Sequence, residues 1–377
     1  MAGFLDKILE SNVVGDILGK TQSVLGIDVG SSAIKVVQLG EKNGRAVLEN
    51  YGALALGPYA DLDVGQATNL SKAKLKEALS DLLREANISV KKAAMSIPMG
   101  LTLLSLVEVP KVDKKKLDSM IPIQARKLIP VPISEVMLDY WVLPERKEDQ
   151  DAYLDDKASA KQLAPKLEVL IAGIHNETIN KYREIKEGAG LQSYLYEIDI
   201  FSAIRAVVGR DDNLVMVVDM GAGTTKLAIV EAGILRMQHI INMGSQDISV
   251  TLSKSLSVSV TEGEKIKREL GLTGQYNGID VANAASMPLN HIFSQLNKVL
   301  LGYRKRTGHQ VKKIILSGGG ALLKGLPELA GKNVEAEIVV SEPFSRIETP
   351  VFLENTLKEA GPEFAVAIGL AIKALQD

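Results

Sequence analysis

The sequence predicts a two-lobed α/β protein with a small α+β unit inserted into its first lobe. Three observations support this fold. A run of three short strands occurs twice, starting near residues 24 and 214, and each run opens with a strand that ends in Asp-x-Gly. The segment 91–190 repeats neither run. The length of 377 residues, with 46% hydrophobic and 24% charged residues, is that of a globular protein of two or three folding units.

The first run predicts three antiparallel strands, because its stretches VLGIDVG, AIKVVQLG and RAVLENYGAL are apolar or alternating. The Asn-Gly pair between the second and third stretches is typical of a hairpin turn. A helix is predicted over 71–87, where Ser71 can cap it and leucines recur at helical spacing. KKAAMSIP predicts one more strand, so this block has the order β-β-β-α-β.

The segment 91–190 predicts an α+β unit of its own. Strands are expected at LTLLSLVEVP, SEVMLDYWVLP and KLEVLIAG. Helices are expected at 113–130, where Pro122 interrupts the pattern, and at 176–190. The charged, apolar-poor stretch 145–162 predicts an exposed loop.

The second run consists of LVMVVDMGAG, TTKLAIVEAG and ILRMQHII, and it repeats the three-strand order. Helices follow within 261–270 and 288–306, then a strand, a glycine turn and a helix over 311–331, and the apolar closing helix GPEFAVAIGLAIKAL. The predicted division is an N-terminal amphipathic segment (1–23), a first lobe (24–90, 191–210 and 356–377), the inserted unit (91–190) and a second lobe (211–355).

Composition excludes several classes of function. The chain has no cysteine, which removes disulfides, thiolate zinc sites and thiol nucleophiles, and its four histidines lack the spacing of metal ligands. A net charge of -2 argues against a nucleic-acid partner. No apolar run reaches the roughly 20 residues that span a bilayer, and the N-terminus lacks the features of a signal peptide. We therefore expect a cytoplasmic protein with no membrane-spanning segment, whose acidic N-terminal segment packs on the protein itself or on a partner.

The two runs align without a gap at three positions. IDVGSSAIKVV and VDMGAGTTKLA match Asp28 with Asp219, Gly30 with Gly221, and Lys35 with Lys226. Two such strand-turn-strand loops can face each other across a cleft, where backbone N–H groups and small hydroxyls donate to phosphate oxygens and a carboxylate orders a hydrated Mg²⁺. The repeat predicts a site for a nucleoside triphosphate. Lys35 lies far enough along its strand to point either into the cleft or to water.

Two further motifs suit such a cleft. SGGGALLKG, at 317–325, places three glycines between a strand and a helix, where the backbone can approach a ligand closely. GEKIK, at 263–267, places Glu264 and Lys267 one helical turn apart, which alone favours a solvated ion pair. GDILGKT, at 15–21, has three residues between its glycines where a P-loop needs four, and GAGTTK continues as a strand where a dinucleotide fingerprint must open a helix.

In this order, these elements resemble the actin-like ATPase superfamily. Its phosphate loops match 26–35 and 217–226, its E-x-x-K pair matches Glu264 and Lys267, and its adenosine turn matches 317–325. The insertion falls where the cell-division protein FtsA and its relatives place subdomain 1C. IPVPISEVMLDYWVLP and GPEFAVAIGLA are similar to segments of the PilM family of the type IV pilus machine. The resemblance implies a bilobal actin-like, ribonuclease H-like duplicated ATPase fold with an inserted FtsA-type 1C subdomain, between a lobe named 1A and a lobe formed by 2A and 2B.

The resemblance also implies an ATP-binding adaptor. Such a protein binds ATP and Mg²⁺, captures the N-terminal cytoplasmic peptide of a PilN-like membrane protein in a groove beside 1C, and so lies peripheral to the inner membrane. It links the membrane platform to other platform and motor proteins, and self-association is a further possibility. The residues implied for ATP are Asp28, Gly30, Ser31, Ser32, Lys35, Asp219, Gly221, Gly223, Thr224, Thr225, Gly263, Glu264, Lys267, Gly318, Gly319 and Gly320, with Asp28 and Asp219 organising the metal.

Hydrolysis needs a group that positions water, and the sequence identifies no catalytic residue. Asp199 is a candidate by location only, with a helix-capping or surface Asp as the other reading, so we expect slow or absent turnover. One alternative is a filament-forming, FtsA-like division protein or a type II secretion scaffold, against which the ending AIKALQD counts because it carries no amphipathic tail. Another is a sugar kinase-like phosphotransferase, which needs a carboxylate base, whereas the insertion is apolar and strand-rich.

Overall fold

The computed structural model describes residues 23–145 and 166–376. The predicted N-terminal segment, apart from Ser23, and the predicted loop 145–162, apart from Glu145, lie outside the described residues. The described chain forms two compact units: a smaller one, Met99–Lys181, and a larger one made of 23–98 and 182–376. No helix in these described stretches is both long and apolar enough to cross a membrane.

Two five-stranded sheets organise the larger unit. The first contains β1 (Val24–Val29), β2 (Ala33–Lys42), β3 (Arg45–Ala55), β4 (Lys92–Ile97) and β8 (Gln192–Ile198). The second contains β9 (Leu214–Met220), β10 (Thr225–Glu231), β11 (Ile234–Ile241), β14 (Lys313–Ser317) and β15 (Glu337–Val340). Their strand orders, β3-β2-β1-β4-β8 and β11-β10-β9-β14-β15, are equivalent, with an antiparallel meander followed by two parallel strands. The predicted duplicated fold is confirmed.

Helices cover and connect these sheets. Their bounds, in chain order and with α2 belonging to the smaller unit, are α1 (Lys72–Glu85), α2 (Lys114–Arg126), α3 (Asn176–Gly188), α4 (Asp199–Val207), α5 (Ser245–Leu256), α6 (Val260–Leu270), α7 (Val281–Ala284), α8 (Ser286–Thr307), α9 (Leu326–Asn333), α10 (Glu354–Ala360) and α11 (Ala365–Gln376). The pair β12 (Gln275–Tyr276) and β13 (Ile279–Asp280) forms a short hairpin after α6. As predicted, Ser71 caps α1 by accepting a hydrogen bond from the Lys74 backbone N–H.

Each lobe has its own hydrophobic core. In the first lobe, α11 is buried along almost its whole length and packs on β1 and α4, so that Ile368 and Leu370 are fully buried. In the second lobe, the apolar face of α8, which includes Phe293 and Leu296, shares a core with Val218 of β9 and other strand residues. These cores fix the ends of β1 and β9, where the predicted phosphate loops begin.

The smaller unit has one three-stranded antiparallel sheet with the order β5-β7-β6. Its strands are β5 (Thr102–Pro110), β6 (Val136–Val142) and β7 (Lys166–His175). Helix α2 buries Leu117 and Ile121 against the sheet, and Asp113 caps it by accepting from the Lys116 N–H at 3.0 Å. Pro122 lies inside the helix, which continues to Arg126.

Two features of the first lobe differ from the sequence-based expectations. The strand Lys92–Ile97 pairs in parallel with β1, in keeping with the predicted β-β-β-α-β order, although the predicted division put it in 91–190; the smaller compact unit starts at Met99. Strand β8 was not predicted, because its sequence QSYLYEI shows no regular alternation of polar and apolar residues. Its pairing with β4 supplies the fifth strand of the first sheet.

Candidate nucleotide-binding site

A cavity of about 460 Å³ lies between the two lobes of the larger unit, within the usual size range of ligand pockets. Seven of the predicted ligand residues line it: Ser32, Lys35, Gly221, Glu264, Lys267, Gly319 and Gly320. Further lining residues that the sequence did not single out are Ala33, Ala53, Ala55, Val64, Gly65, Ala222, Ser245, Arg268, Leu322, Leu323 and Glu363.

The two predicted phosphate loops are equivalent hairpin turns that face each other. The Gly30 N–H donates to the Ala33 carbonyl at 3.0 Å, and the Gly221 N–H donates to the Thr224 carbonyl at 2.9 Å. A Cβ atom placed on Gly223 would lie 3.7 Å from the Ser31 hydroxyl oxygen, so a side chain there would fill the gap between the turns. The turns therefore present backbone and hydroxyl groups to one shared space.

The aligned Asp and Lys residues occupy the same register in both lobes. Asp28 lies opposite Lys35 on the β1–β2 ladder, and Asp219 lies opposite Lys226 on the β9–β10 ladder. Lys35 points into the cavity, which settles its orientation, and its ammonium lies 3.5 Å from a Glu363 carboxylate oxygen.

Asp28 is half-buried, and the neighbouring strand β4 holds its carboxylate. The Ser96 hydroxyl donates to Asp28 Oδ1 at 2.9 Å, and the Val29 N–H donates to the same hydroxyl oxygen at 3.1 Å. Burial raises the pKa of the Asp28 carboxyl above its ordinary value, although the charges of Lys35 and Lys226 oppose the shift.

Lys226 joins the two lobes through carboxylates. Its Nζ atom lies 2.8 Å from Asp199 Oδ2 and 3.0 Å from Asp219 Oδ2. Burial alone would lower the pKa of this ammonium, but Asp199 and Asp219 outweigh burial and raise it. Asp199 is only 3% exposed and lies in the first turn of α4, directly after the N-cap Ile198, so it is not a surface residue.

The predicted E-x-x-K pair is a buried network, not a solvated ion pair. Glu264 and Lys267 lie 2.6 Å apart, with side chains 14% and 10% exposed. Glu264 also accepts from the Ser249 hydroxyl at 2.5 Å and from Arg268 Nε at 2.6 Å, while Lys267 donates to the Ser245 carbonyl at 3.0 Å. Burial would raise the pKa of Glu264, but these donors lower it, whereas burial dominates for Lys267 and lowers its pKa. A fixed carboxylate and ammonium therefore face the cavity.

The glycine-rich turn packs on the end of β9. Gly318 has φ 78°, and a Cβ there would lie 2.5 Å from Asp219 Oδ1, so only glycine fits this position. Its N–H donates to the Pro362 carbonyl at 2.9 Å. A Cβ on Gly319 would have no neighbour closer than 3.9 Å, which leaves that backbone accessible from the cavity.

The remaining predicted residues support the turns from behind. Thr225 is buried and donates to the Met243 carbonyl at 2.9 Å, and the Ser31 carbonyl accepts from the Thr68 N–H at 2.8 Å. Gly263 lies where α6 crosses α5, since a Cβ there would lie 2.6 Å from the Ser249 carbonyl oxygen. Among the residues missed, Glu363 lies in the quoted stretch GPEFAVAIGLA, whereas Ser245, at the start of α5, lies in none of the motifs used above.

The donor set does not fit a metal ion held by Asp28 and Asp219. Asp219 is already paired with the Lys226 ammonium, and Asp28 Oδ1 accepts from Ser96. Within 23–145 and 166–376, no three acidic or histidine side chains form a group that could hold a metal. Mg²⁺ carried on the phosphates of a nucleotide is compatible with this arrangement, because it needs few or no protein carboxylates.

Two lobes with the same sheet order, with paired turns and a shared cavity between them, define the actin-like class of two-lobed proteins. The family model of the type IV pilus assembly protein PilM matches residues 26–375, and the chain belongs to this family. The predicted resemblance to the PilM family is thus confirmed.

Individual relatives agree with this assignment. The structure is similar to a chain of the PilM–PilN type IV pilus biogenesis complex, with a TM-score of 0.78 and 23% identity over 94% of this chain and 99% of that one. It also resembles the ethanolamine utilization protein EutJ from Carboxydothermus hydrogenoformans, with a TM-score of 0.52 and 14% identity over 97% and 94% of the two chains. The cell-division protein FtsA of Streptococcus pneumoniae serotype 2 is 23% identical over 375 residues, which cover 92% of this chain and 79% of FtsA. These distant likenesses show a shared fold.

Proposed function

We propose that this protein is an ATP-binding adaptor of a type IV pilus assembly machine. The observation that carries the nucleotide assignment is the cavity where two equivalent turns meet the buried Glu264–Lys267 pair. The turns offer N–H and hydroxyl donors to phosphates, and Lys35 adds a positive charge beside them. Glu264, Lys267 and the 318–320 turn would flank the adenosine. Mg²⁺ arrives on the phosphates.

The nucleotide assignment is tested by filling the gap between the turns. Gly223→Asp adds a carboxylate to a Cβ atom that lies 3.7 Å from the Ser31 hydroxyl oxygen, where it excludes and repels a phosphate. We expect ATP affinity in isothermal titration calorimetry to fall by about tenfold or more, which corresponds to about 1.4 kcal/mol.

Gly100→Asp is the matched control. Gly100 is exposed, and a Cβ there meets no atom within 4 Å, so the same side chain is added in open space. Its ATP affinity should equal that of the wild type. Equal affinities for all three proteins would remove the two-turn site from consideration.

We propose that the smaller unit captures the N-terminal cytoplasmic peptide of a PilN-like membrane protein. A groove of about 710 Å³ runs between α2 and β6, with an apolar lining that includes Leu117, Ile121, Pro122, Leu138 and Trp141. Among the described residues, β6 lies at the edge of its sheet, which is the position where an extended segment can add as a further strand. Such capture would place the protein at the cytoplasmic face of the inner membrane through its partner.

Trp141 provides the test of this second assignment, because it is the single tryptophan of the chain and lines the groove. Adding the synthetic N-terminal peptide of the PilN-like partner should shift the tryptophan emission to shorter wavelength as water leaves the groove. A scrambled peptide is the control. Peptide binding by calorimetry with no change in emission would place the partner elsewhere on the protein.

We further propose that ATP turnover is slow or absent. Asp199, the candidate by location, is held by the Lys226 ammonium at 2.8 Å, which leaves this carboxylate committed to an ion pair. Phosphate release by the purified protein should stay near the background of the assay. Rapid phosphorylation of a small-molecule pool would instead support a phosphotransferase.

A further inference from the structure

Three carboxylates lie around the Lys226 ammonium, near the nucleotide cavity but not among its lining residues. Asp199 and Asp219 both contact the Lys226 ammonium, and Asp28 lies near enough to interact with the charges of Lys226 and Asp199. The side chains of Lys226, Asp199 and Asp219 are only 16%, 5% and 10% exposed. Buried carboxylates at this density stay ionised only beside a cation, because desolvated like charges repel strongly.

The Lys226 ammonium can be the cation that these carboxylates need. An ammonium carries three N–H donors, and two of them suffice for the contacts at 2.8 and 3.0 Å. A Mg²⁺ ion bound to the same oxygens needs six ligands at about 2.0–2.1 Å, and it would lie against the fixed positive charge of Lys226. The two cations therefore compete for one place.

We propose that the Lys226 ammonium substitutes for a protein-bound metal ion at the Asp199 and Asp219 carboxylates, so that this chain binds nucleotide without a divalent cation coordinated by the protein. The proposal rests on the nucleotide site inferred above. It predicts that Mg²⁺ reaches the cavity only as a companion of the phosphates.

The duplicated lysine in the first lobe supports this division of roles. Lys35 occupies the same ladder position relative to Asp28 that Lys226 occupies relative to Asp219. Yet Lys35 lines the cavity and lies 3.5 Å from Glu363, where it can meet a phosphate, whereas Lys226 points at two carboxylates. One lysine serves the ligand and the other replaces the metal.

Two measurements on the wild-type protein test the proposal. ATP affinity measured by calorimetry in excess Mg²⁺ and in excess EDTA should differ by less than about threefold. Mn²⁺ added to the nucleotide-free protein should stay free in electron paramagnetic resonance spectra. A loss of about tenfold or more in EDTA, or stoichiometric Mn²⁺ binding by the nucleotide-free protein, would overturn it.

Replacing Lys226 should allow the protein to bind a divalent metal ion. Lys226→Met removes the cation with a side chain only one atom shorter, and it takes the ammonium away from the Asp199 and Asp219 carboxylates. The variant should bind one Mn²⁺, and Mn²⁺ should raise its Tm while leaving that of the wild type unchanged. Lys35→Met, the equivalent change in the first lobe, should gain no Mn²⁺ site.

Failure of the two proposals can be told apart. If the wild type binds ATP neither with Mg²⁺ nor with EDTA, the nucleotide assignment fails, while the Mn²⁺ spectra still decide the role of Lys226. If Lys226→Met does not fold, the wild-type Mn²⁺ and EDTA measurements decide alone. A folded Lys226→Met variant that takes up no Mn²⁺ would also contradict the proposal.

Discussion

Single buried charges in this protein are stabilised in very different ways. Glu197 is fully buried, and Arg205 pairs with both of its carboxylate oxygens, at 2.6 and 2.7 Å. Lys186 is also fully buried, but its ammonium contacts the ring of Tyr196, 4.9 Å from the centroid, and has no hydrogen-bond partner among the residues that the structure describes. Burial accordingly lowers the pKa of Lys186. The buried charge of Lys186 therefore lowers the free energy of unfolding of the protein.

Replacing this lysine should stabilise the protein. Lys186→Met keeps the buried chain and removes the charge, and we expect the free energy of unfolding near pH 7 to rise by about 1–2 kcal/mol, because a buried polar group without a partner costs this much. Urea unfolding followed by circular dichroism measures the change. Lys305→Met, at an exposed position on α8, should alter stability by less than about 0.5 kcal/mol.

The dependence on pH gives a second readout for the same pair of variants. Because the folded-state pKa of Lys186 is lowered, the unfolded chain binds this proton more readily than the folded chain does. The lysine therefore makes stability rise as pH increases towards the ordinary lysine value of about 10.4. Lys186→Met should lose this slope. An unchanged slope would mean that other groups produce it.

At the scale of elements, α11 is the helix on which the first lobe depends. It runs between β1 and α4 with almost no space on either side. A Cβ on Gly26 of β1 would lie 2.0 Å from the Ala367 carbonyl oxygen, and a Cβ on Gly369 would lie 1.9 Å from the Ser202 carbonyl oxygen. A side chain at either position would clash with backbone atoms of the neighbouring element. The packing of α11 therefore requires glycine at both Gly26 and Gly369.

Gly369→Ala should therefore be severely destabilising. The methyl group can be accommodated only if α11 moves away from α4, and we expect a loss of about 3 kcal/mol or more, at the upper end of overpacking effects. Differential scanning calorimetry should show a lowered Tm. Gly302→Ala in α8, where the added methyl meets nothing within 4 Å, should instead stabilise by about 0.5–1 kcal/mol. Similar effects of the two changes would refute this account of the packing.

The sequence predicted local elements well and distant pairings less well. The two meanders, at 24–55 and 214–241, could be predicted because their signals are local in the sequence: polar and apolar residues alternate, and the first strand ends in Asp-x-Gly. The partner strands β4 and β8 join the first sheet from 92–97 and 192–198, so neither the domain boundary nor the fifth strand followed from a local pattern. The same holds for the contacts of Lys226, whose partners are at positions 199 and 219.

At the scale of the whole larger unit, the connection after β3 links the lobes. The Ala67 N–H donates to the Gln246 side chain, and the Thr261 hydroxyl donates to Asp63 at 2.5 Å. Val64 and Gly65, between these two anchors, line the nucleotide cavity. The segment 63–67 therefore both connects the two lobes and forms part of the wall of the nucleotide cavity.

Removing one anchor should weaken nucleotide binding more than it weakens the fold. Gln246→Ala frees Ala67, and we expect ATP affinity to fall about three- to tenfold, or about 0.7–1.4 kcal/mol, because ATP must then order the segment itself. Calorimetry measures the affinity, and hydrogen exchange of residues 61–68 reports the loosening. Gln310→Ala, at an exposed position, is the control. Full affinity in Gln246→Ala would show that this anchor does not shape the site.

The close approach of Ser31 and Gly223, in a chain without cysteine, gives experimental control over the opening of the lobes. Cysteines placed at these two positions would be the only thiols present, and they would lie close together, because a Cβ on Gly223 is 3.7 Å from the Ser31 oxygen. Oxidation would cross-link the lobes and reduction would release them. Because the disulfide would fill the gap between the two turns, the oxidised protein should bind ATP more weakly than the reduced one.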